Sequence, residues 1–276
     1  MNINGFVKWT KEPNSVSPLG TLLTKTVRID TNNNYKDRLI RVYLPSTYEF
    51  DNPNKRFPVI YMFDGKNLFD DYTSFVGEWG IDETIEEFIK QGKQDYIVVG
   101  IDAPNVDIDR TLEMTPENIK YSKYFSYKDK VGYAEVFASS VVNIIKPLID
   151  SSFYTLIERE NTLVGGSSMG GQMSFLMGLY YPDVFSTCLN FSPAFFLHNW
   201  NEYKNYVEKH LSKNTPKMLF YVGGKGFEAL FVNATKRMHK LFLSRGLEID
   251  FIFDEKEEHN EKAWRHYFPI MLDRAK

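Results

Sequence analysis

The stretch Asn161-Thr-Leu-Val-Gly-Gly-Ser-Ser-Met-Gly-Gly-Gln-Met-Ser-Phe175 constrains this chain more than any other. A short apolar run at Leu163 and Val164 meets four glycines around Ser168, and a helix-like pattern follows at once. Within it, Gly166-Ser-Ser-Met-Gly170 fits G-x-S-x-G. A serine at the tip of a tight strand-to-helix turn takes strained backbone angles. Its neighbours two residues away on each side must then lack side chains, or strand and helix collide. The five-residue pattern also arises in ordinary glycine-rich turns. The apolar strand before it and the periodic helix after it favour a serine displayed for chemistry.

A chain of 276 residues has ample length for a buried core. Its net charge of −3 supplies no basic face, so neither nucleic acid nor an anionic membrane is an expected partner. The single cysteine, Cys188, excludes an internal disulfide and a multi-cysteine metal knot. It lies in the apolar run Ser186–Asn190 and reads as a buried structural thiol. The first ten residues carry no charged segment followed by an apolar stretch, and no run approaches the roughly 18 apolar residues that span a bilayer. The expected location is cytoplasmic, although a chain trimmed of its signal would read the same. Oligomeric state leaves no mark in the sequence.

In order, residues 1–19 read as an N-terminal extension. Thr21–Ile29 and Leu39–Leu44 read as two strands joined through Asn32, Asn33 and Asn34. Phe57–Phe63 and Tyr96–Ile101 are continuous apolar runs, as in strands buried on both faces. Between them Ile81, Ile85, Phe88 and Ile89 recur at helical spacing up to Gly92. Regular periodicity fails across 103–130, an aromatic and polar stretch read as a long loop at the mouth of a site. A helix is expected from Tyr133 to Ile149. After the Ser168 turn, Met169, Met173, Leu176, Met177 and Tyr180 mark one packed helical face. Strands near Thr187–Phe191, Met218–Val222 and Leu247–Phe253 then alternate with helices. The sum is one α/β domain over 1–276, its sheet mostly parallel, its first strands antiparallel, with helices on both faces.

The strand–serine–helix pattern resembles the α/β-hydrolase fold, in which the base follows the serine on a loop after the last strand. A serine hydroxyl needs such a base. Of the five histidines, His210 and His239 occupy polar positions of helices and read as solvated. His198 follows the Ser192–Phe196 turn and His266 lies inside the last helix. His259 alone falls between the last strand and the last helix, and is the candidate base. Oxyanion donors are expected at the Met169 amide and in the turn after Phe63, at Lys66 N–H or Gly65 N–H. For the orienting acid, Glu228 is the nearest carboxylate after the Met218–Val222 strand. Asp254, Glu255, Glu257 and Glu258 crowd the histidine loop and read as solvated charges.

More closely, the chain resembles the putative-esterase family of α/β-hydrolases, with its enterochelin-type esterases, feruloyl and acetylxylan esterases and mycolyltransferases. The resemblance runs from about Val42 to the C-terminus. It is carried by Tyr61–Asp70, Val99–Asp102, Arg110 with Glu113–Pro116, Pro147–Asp150, Gly165–Gly171, Tyr181–Phe185, Phe191–Pro193 and His259–Trp264. It implies Ser168 as nucleophile, His259 as base, and an oxyanion hole at the backbone after Asp64-Gly65 and at Met169. Relatives often place the acid directly after a Gly-Thr-Asn or Gly-Thr-Lys turn, where this chain has Gly226. Either Glu228 substitutes or a serine–histidine dyad operates.

The expected activity is serine carboxylic-ester hydrolysis of a small-molecule ester, of acyl-sugar or aryl (feruloyl or acetyl) type. A siderophore-type esterase is the alternative within the class, and a non-catalytic binding member of the fold the alternative outside it. With 17 Tyr, 22 Phe and 4 Trp, aromatics suffice for a pocket wall as well as a core, and Trp79, Tyr124, Phe195 and Phe196 are the candidates. No cofactor or metal is expected, since the chain has neither H-E-x-x-H spacing nor a phosphate-loop lysine.

Overall fold

The computed structural model describes residues 2–3, 7–12, 19–31, 35–122 and 130–275. A two-stranded ribbon, β1 (Asn2–Ile3) and β2 (Val7–Lys8), precedes the main sheet. The sheet takes β3 (Thr10–Lys11), β4 (Thr21–Asp30), β5 (Tyr35–Leu44), β6 (Val59–Phe63), β7 (Ile97–Ile101), β8 (Thr162–Ser167), β9 (Thr187–Phe191), β10 (Lys217–Gly223) and β11 (Ile249–Asp254). Their spatial order is β11-β10-β9-β8-β6-β7-β5-β4-β3. From β7 across to β11 every pairing is parallel, while β5, β4 and β3 continue the sheet antiparallel. The expected fold class is therefore observed. Within 1–19, β3 joins the sheet edge and Trp9 is buried.

Every residue of β6, β7, β8 and β9 is buried, as required where helices cover both faces. Alternate residues feed separate cores. Tyr61, Phe63 and Val164 face one, and Ile60, Met62 and Leu163 the other. The first core is closed by α3 (Ala134–Ser140), α4 (Lys146–Ser152), α5 (Met169–Tyr180), α6 (Trp200–His210) and α7 (Ala229–Ser244). The second is closed by α1 (Ile81–Lys90) and α8 (Glu261–Arg274).

Three expectations need correction. The stretch 103–130 is not devoid of regular structure, since α2 (Asp107–Glu113) lies within it. This helix has no apolar stripe because ion pairs fasten it, Arg110 to Asp64 and Glu113 to Arg38. The residues of α5 from Met169 to Leu179 are all buried rather than packed on one face. That helix lies between β6, β8 and β9 on one side and α3 and α6 on the other. His210 and His239 are not solvated either. Both are half-buried, His210 Nδ1 donating to the Tyr206 carbonyl (2.8 Å) and His239 stacking on Phe251.

Candidate active site

At the end of β8 the chain reverses through Ser168, whose backbone sits at φ 57° and ψ −119°. An L-residue held there costs about 1–3 kcal/mol and persists only where its surroundings impose it. Ser168 N–H donates to Phe191 O (2.9 Å), and its carbonyl accepts from Ala194 N–H (3.1 Å) and Gln172 N–H (3.0 Å). A Cβ on Gly166 would stand 2.7 Å from the Gly170 carbonyl, and one on Gly170 would stand 2.8 Å from Asp64 Oδ2. The two outer glycines of the pattern thus exist to let strand, helix and the β6 turn touch. Met169 opens α5, where the first amides of a helix lack intrahelical acceptors.

His259 follows β11, and its Nδ1–H donates to Glu228 Oε2. Glu228 is fully buried at the start of α7. Its Oε1 accepts from Ser192 Oγ–H and from Gly223 N–H (2.9 Å). Ser192 Oγ in turn accepts from Trp264 Nε1–H (3.0 Å). Three donors thus meet this carboxylate, and a neutral His259 ring bonded in this way carries its proton on Nδ1 and turns Nε2 away from Glu228. The ring is held flat against Phe231 (centroids 4.4 Å apart), with the edges of Trp264 and Phe227 closing two other sides. Glu228, the carboxylate expected from sequence, lies within hydrogen-bond reach of the His259 ring. Gly226, at φ 62°, turns the chain so that Glu228 points back toward β11.

Beyond β6, Asp64 also takes left-handed angles, φ 59° and ψ 47°, and a short turn over Gly65–Asn67 follows. Arg110 grips the Asp64 carboxylate through Nε and Nη2, both at 2.6 Å. The same carboxylate lies against Gly170. One ion pair thereby locks the Lys66 turn to the first residues of α5. Gly65 is packed against Gly100 and Asp102, leaving Lys66 on the open side.

A cleft of about 450 Å³ gathers these parts. Ser168, His259, Lys66, Asp64 and Arg110 line it, with Asn67, Phe75, Asn105, Asp107, Glu261 and Trp264. Burial pushes the Glu261 carboxyl above its ordinary range. Ala103, Pro104 and Asn105 bring the 103–130 stretch to the mouth. The expected aromatic wall needs correction. Trp79 is buried behind Trp264 and packs on Phe191 and Phe268, and Phe195 is buried among Phe175, Tyr203 and Phe220. Both are core, because the second and first cores need large rings there. Phe196 lies outside the cleft lining and backs Phe231 instead. Tyr124 lies outside the described residues. Among the described residues, Phe75 and Trp264 supply aromatic rings to the cleft lining.

Sequence reasoning missed the supporting residues Ser192, Trp264, Asp64, Arg110 and Glu261. All fall inside the segments that carried the family resemblance. The remaining histidines take no part in the cleft. His198 is buried, bonded to Gln172 Oε1 (2.8 Å), and burial pushes it down to about 3. Cys188 is buried and its thiol is pushed up by burial, as for a structural cysteine. Glu78, Asp82 and Glu83 cluster outside the cleft lining, with Arg265 paired to Glu78 and Glu83. No helix among the described residues is long and apolar enough to cross a membrane.

A family model described as Putative esterase matches residues 32–274. The chain belongs to this esterase family. Membership implies small-molecule ester substrates. Among curated proteins, this family member is 24% identical over 222 residues to the uncharacterized protein YbbA of Bacillus subtilis, covering 78% of this chain and 81% of YbbA. Among solved structures it is similar to the enterobactin esterase FES of Shigella flexneri, with a TM-score of 0.69 and 15% identity over 91% of this chain and 58% of that one. It is also similar to a ferulic acid esterase, AmCE1/Fae1A of Anaeromyces mucronatus, with a TM-score of 0.61 and 18% identity over 98% and 91% of the two chains. At these identities the solved structures speak for the shared fold.

Proposed function

We propose that this esterase is a serine carboxylic-ester hydrolase acting through an acyl-enzyme on Ser168. The observation that carries the reading is the pairing of His259 with buried Glu228 on the wall of the cleft that also holds Ser168. Ser168 Oγ attacks the ester carbonyl carbon while His259 Nε2 takes the hydroxyl proton. Negative charge on the carbonyl oxygen meets the Met169 amide and an amide of the Gly65–Lys66 turn, donors of a kind worth roughly 3–4 kcal/mol each in barrier height. The tetrahedral species collapses as His259 returns the proton to the departing alcohol oxygen. Water, deprotonated by the same nitrogen, then cleaves the acyl-enzyme and frees the carboxylic acid. Glu228 keeps the imidazole oriented and stabilises its cationic form in both halves. The Glu228 carboxylate beside His259 supports a triad over a dyad and over a non-catalytic binding role.

The cleft suits acyl-sugar or aryl esters. Its charged lining comprises Asp64, Asp107 and Glu261 against Lys66 and Arg110, and Arg110 is spent on Asp64. An anionic iron chelate would call for a basic wall, so the siderophore-type reading is the weaker one.

Turnover of p-nitrophenyl acetate tests the proposal. Ser168→Ala and His259→Ala should each lower kcat by about 10³-fold or more. Turnover by Ser168→Ala at the parent's rate would refute it.

A further inference from the structure

Glu261 has no duty in the reaction just described, yet it lines the cleft together with His259. It is only 8% exposed and forms no ion pair among the described residues. A carboxylate has room for about four hydrogen bonds. Here its contacts are a long one from Asn67 Nδ2 to Oε1 (3.3 Å) and one from its own backbone N–H. His259 and Arg110 favour its charge from a distance, while burial and Asp64 oppose it. Much of its acceptor capacity is therefore unused, in a residue on the cleft wall within reach of a bound molecule.

The surroundings say what kind of donor fits. Asn67 is held on three sides. Its Oδ1 accepts from Phe75 N–H (3.2 Å), its carbonyl accepts from Trp79 N–H (2.9 Å), and its Nδ2 reaches Glu261. That ties Glu261, the Gly65–Asn67 turn and the Phe75 rim into one wall. Asn105 adds a second amide, and Phe75 and Trp264 add ring surface. A carboxylate flanked by amides and rings matches neutral hydroxyl groups carried on a flat or ring-shaped body.

We infer that Glu261 is a specificity-determining residue that accepts a hydrogen bond from a free hydroxyl of the ester substrate, with Asn67 holding it in place. The hydroxyl belongs either to the alcohol half, as in a sugar, or to the acyl half, as in a phenolic acid. The chemistry is the same, and the inference rests on the esterase reading above. A site that hydrogen-bonds a substrate hydroxyl discriminates strongly against an analogue that lacks it, because the buried acceptor is left unpaired.

Two substrate pairs test it. One is a singly acetylated methyl xyloside with its other hydroxyls free, set against the same ester with those hydroxyls O-methylated. The other is methyl ferulate set against methyl 3,4-dimethoxycinnamate. The readout is the ratio of kcat/KM within each pair, so a general loss of activity cancels. The parent should prefer the free hydroxyl by about tenfold or more in at least one pair, chiefly through KM. Which pair responds identifies the half that carries the hydroxyl. Glu261→Met, similar in length and with only a weak thioether acceptor, should bring that ratio to within about twofold of unity. Glu261→Gln, which can still bond Asn67, should lie between. A parent that turns over p-nitrophenyl acetate yet shows no preference in either pair overturns the inference, as does a ratio that survives in Glu261→Met. Both outcomes leave the Ser168 reading intact. Absence of turnover of every ester by the parent would remove that reading and the inference with it.

Discussion

Glu228 reaches the His259 ring from the position just before α7, its other oxygen anchored by Ser192 and Gly223. Because that second oxygen is already committed to two donors, a glutamine here must turn its NH₂ toward the imidazole. Nδ1 would then become the acceptor and the proton would move to Nε2, where the base must be free. Glu228→Gln should lower kcat on p-nitrophenyl acetate by about 10³-fold with little change in KM. Ser192→Ala, which removes one of the two anchors, should cost about tenfold. Steady-state kinetics of the two variants check both.

The Asp64–Arg110 pair joins the Lys66 turn to the start of α5. Displacing an oxyanion donor by about 1 Å can cost about 10²-fold in rate. Arg110→Ala should therefore reduce kcat by about 10- to 100-fold, and Arg110→Lys, charged but unable to grip both oxygens, should fall between. Equal kcat in all three proteins would show that the clamp has no part in catalysis.

Gly166 and Gly92 separate two kinds of glycine requirement. A Cβ on Gly166 meets the Gly170 backbone at 2.7 Å, and backbone cannot swing aside. Gly92, at φ 68°, has nothing within 4 Å of its notional Cβ. Gly166→Ala should destabilise by about 1–3 kcal/mol and impair turnover, whereas Gly92→Ala should cost about 1 kcal/mol and leave turnover alone. Urea unfolding midpoints alongside the ester assay distinguish them.

The parts of this site legible in sequence are those with a local cause. β6 and β8 read as continuous apolar runs because both faces are covered, and Gly166–Gly170 reads as a turn because its glycines meet within five residues. His259 is singled out in the sequence by its place between β11 and α8. The illegible parts depend on partners far along the chain. Helix α2 is secured by Asp64, 46 residues away, and by Arg38, 75 residues away, so it carries no periodic stripe. Ser192 and Trp264 lie 72 residues apart, and only folding makes them neighbours. Trp79 and Phe195 were expected at the pocket wall because composition does not separate ring-lined walls from ring-filled cores. Glu228 stood out as the nearest carboxylate. Its reach depends on Gly226 turning the chain at φ 62°, which no spacing rule conveys.

His198 links pH to stability. Burial holds its native value down to about 3, against about 6.5 in an unfolded chain. Between those values the unfolded state binds a proton that the native state does not. Its share of stability is thus intact above about pH 6.5 and falls by about 1.4 kcal/mol per pH unit as pH drops toward 3. Unfolding free energies from pH 7 to pH 4 should decline less steeply in His198→Asn than in the parent, by about one proton's worth of slope.

The central claim is that Ser168 Oγ is the nucleophile and His259 its base. The parent, Ser168→Ala and His259→Ala should be treated with a fluorophosphonate and digested, and the adduct located by mass spectrometry. The account predicts one adduct on the peptide carrying Ser168 in the parent, none there in Ser168→Ala, and labelling slowed by about 10³-fold or more in His259→Ala. A folded parent left unlabelled at Ser168, or labelled as fast without His259, would contradict it.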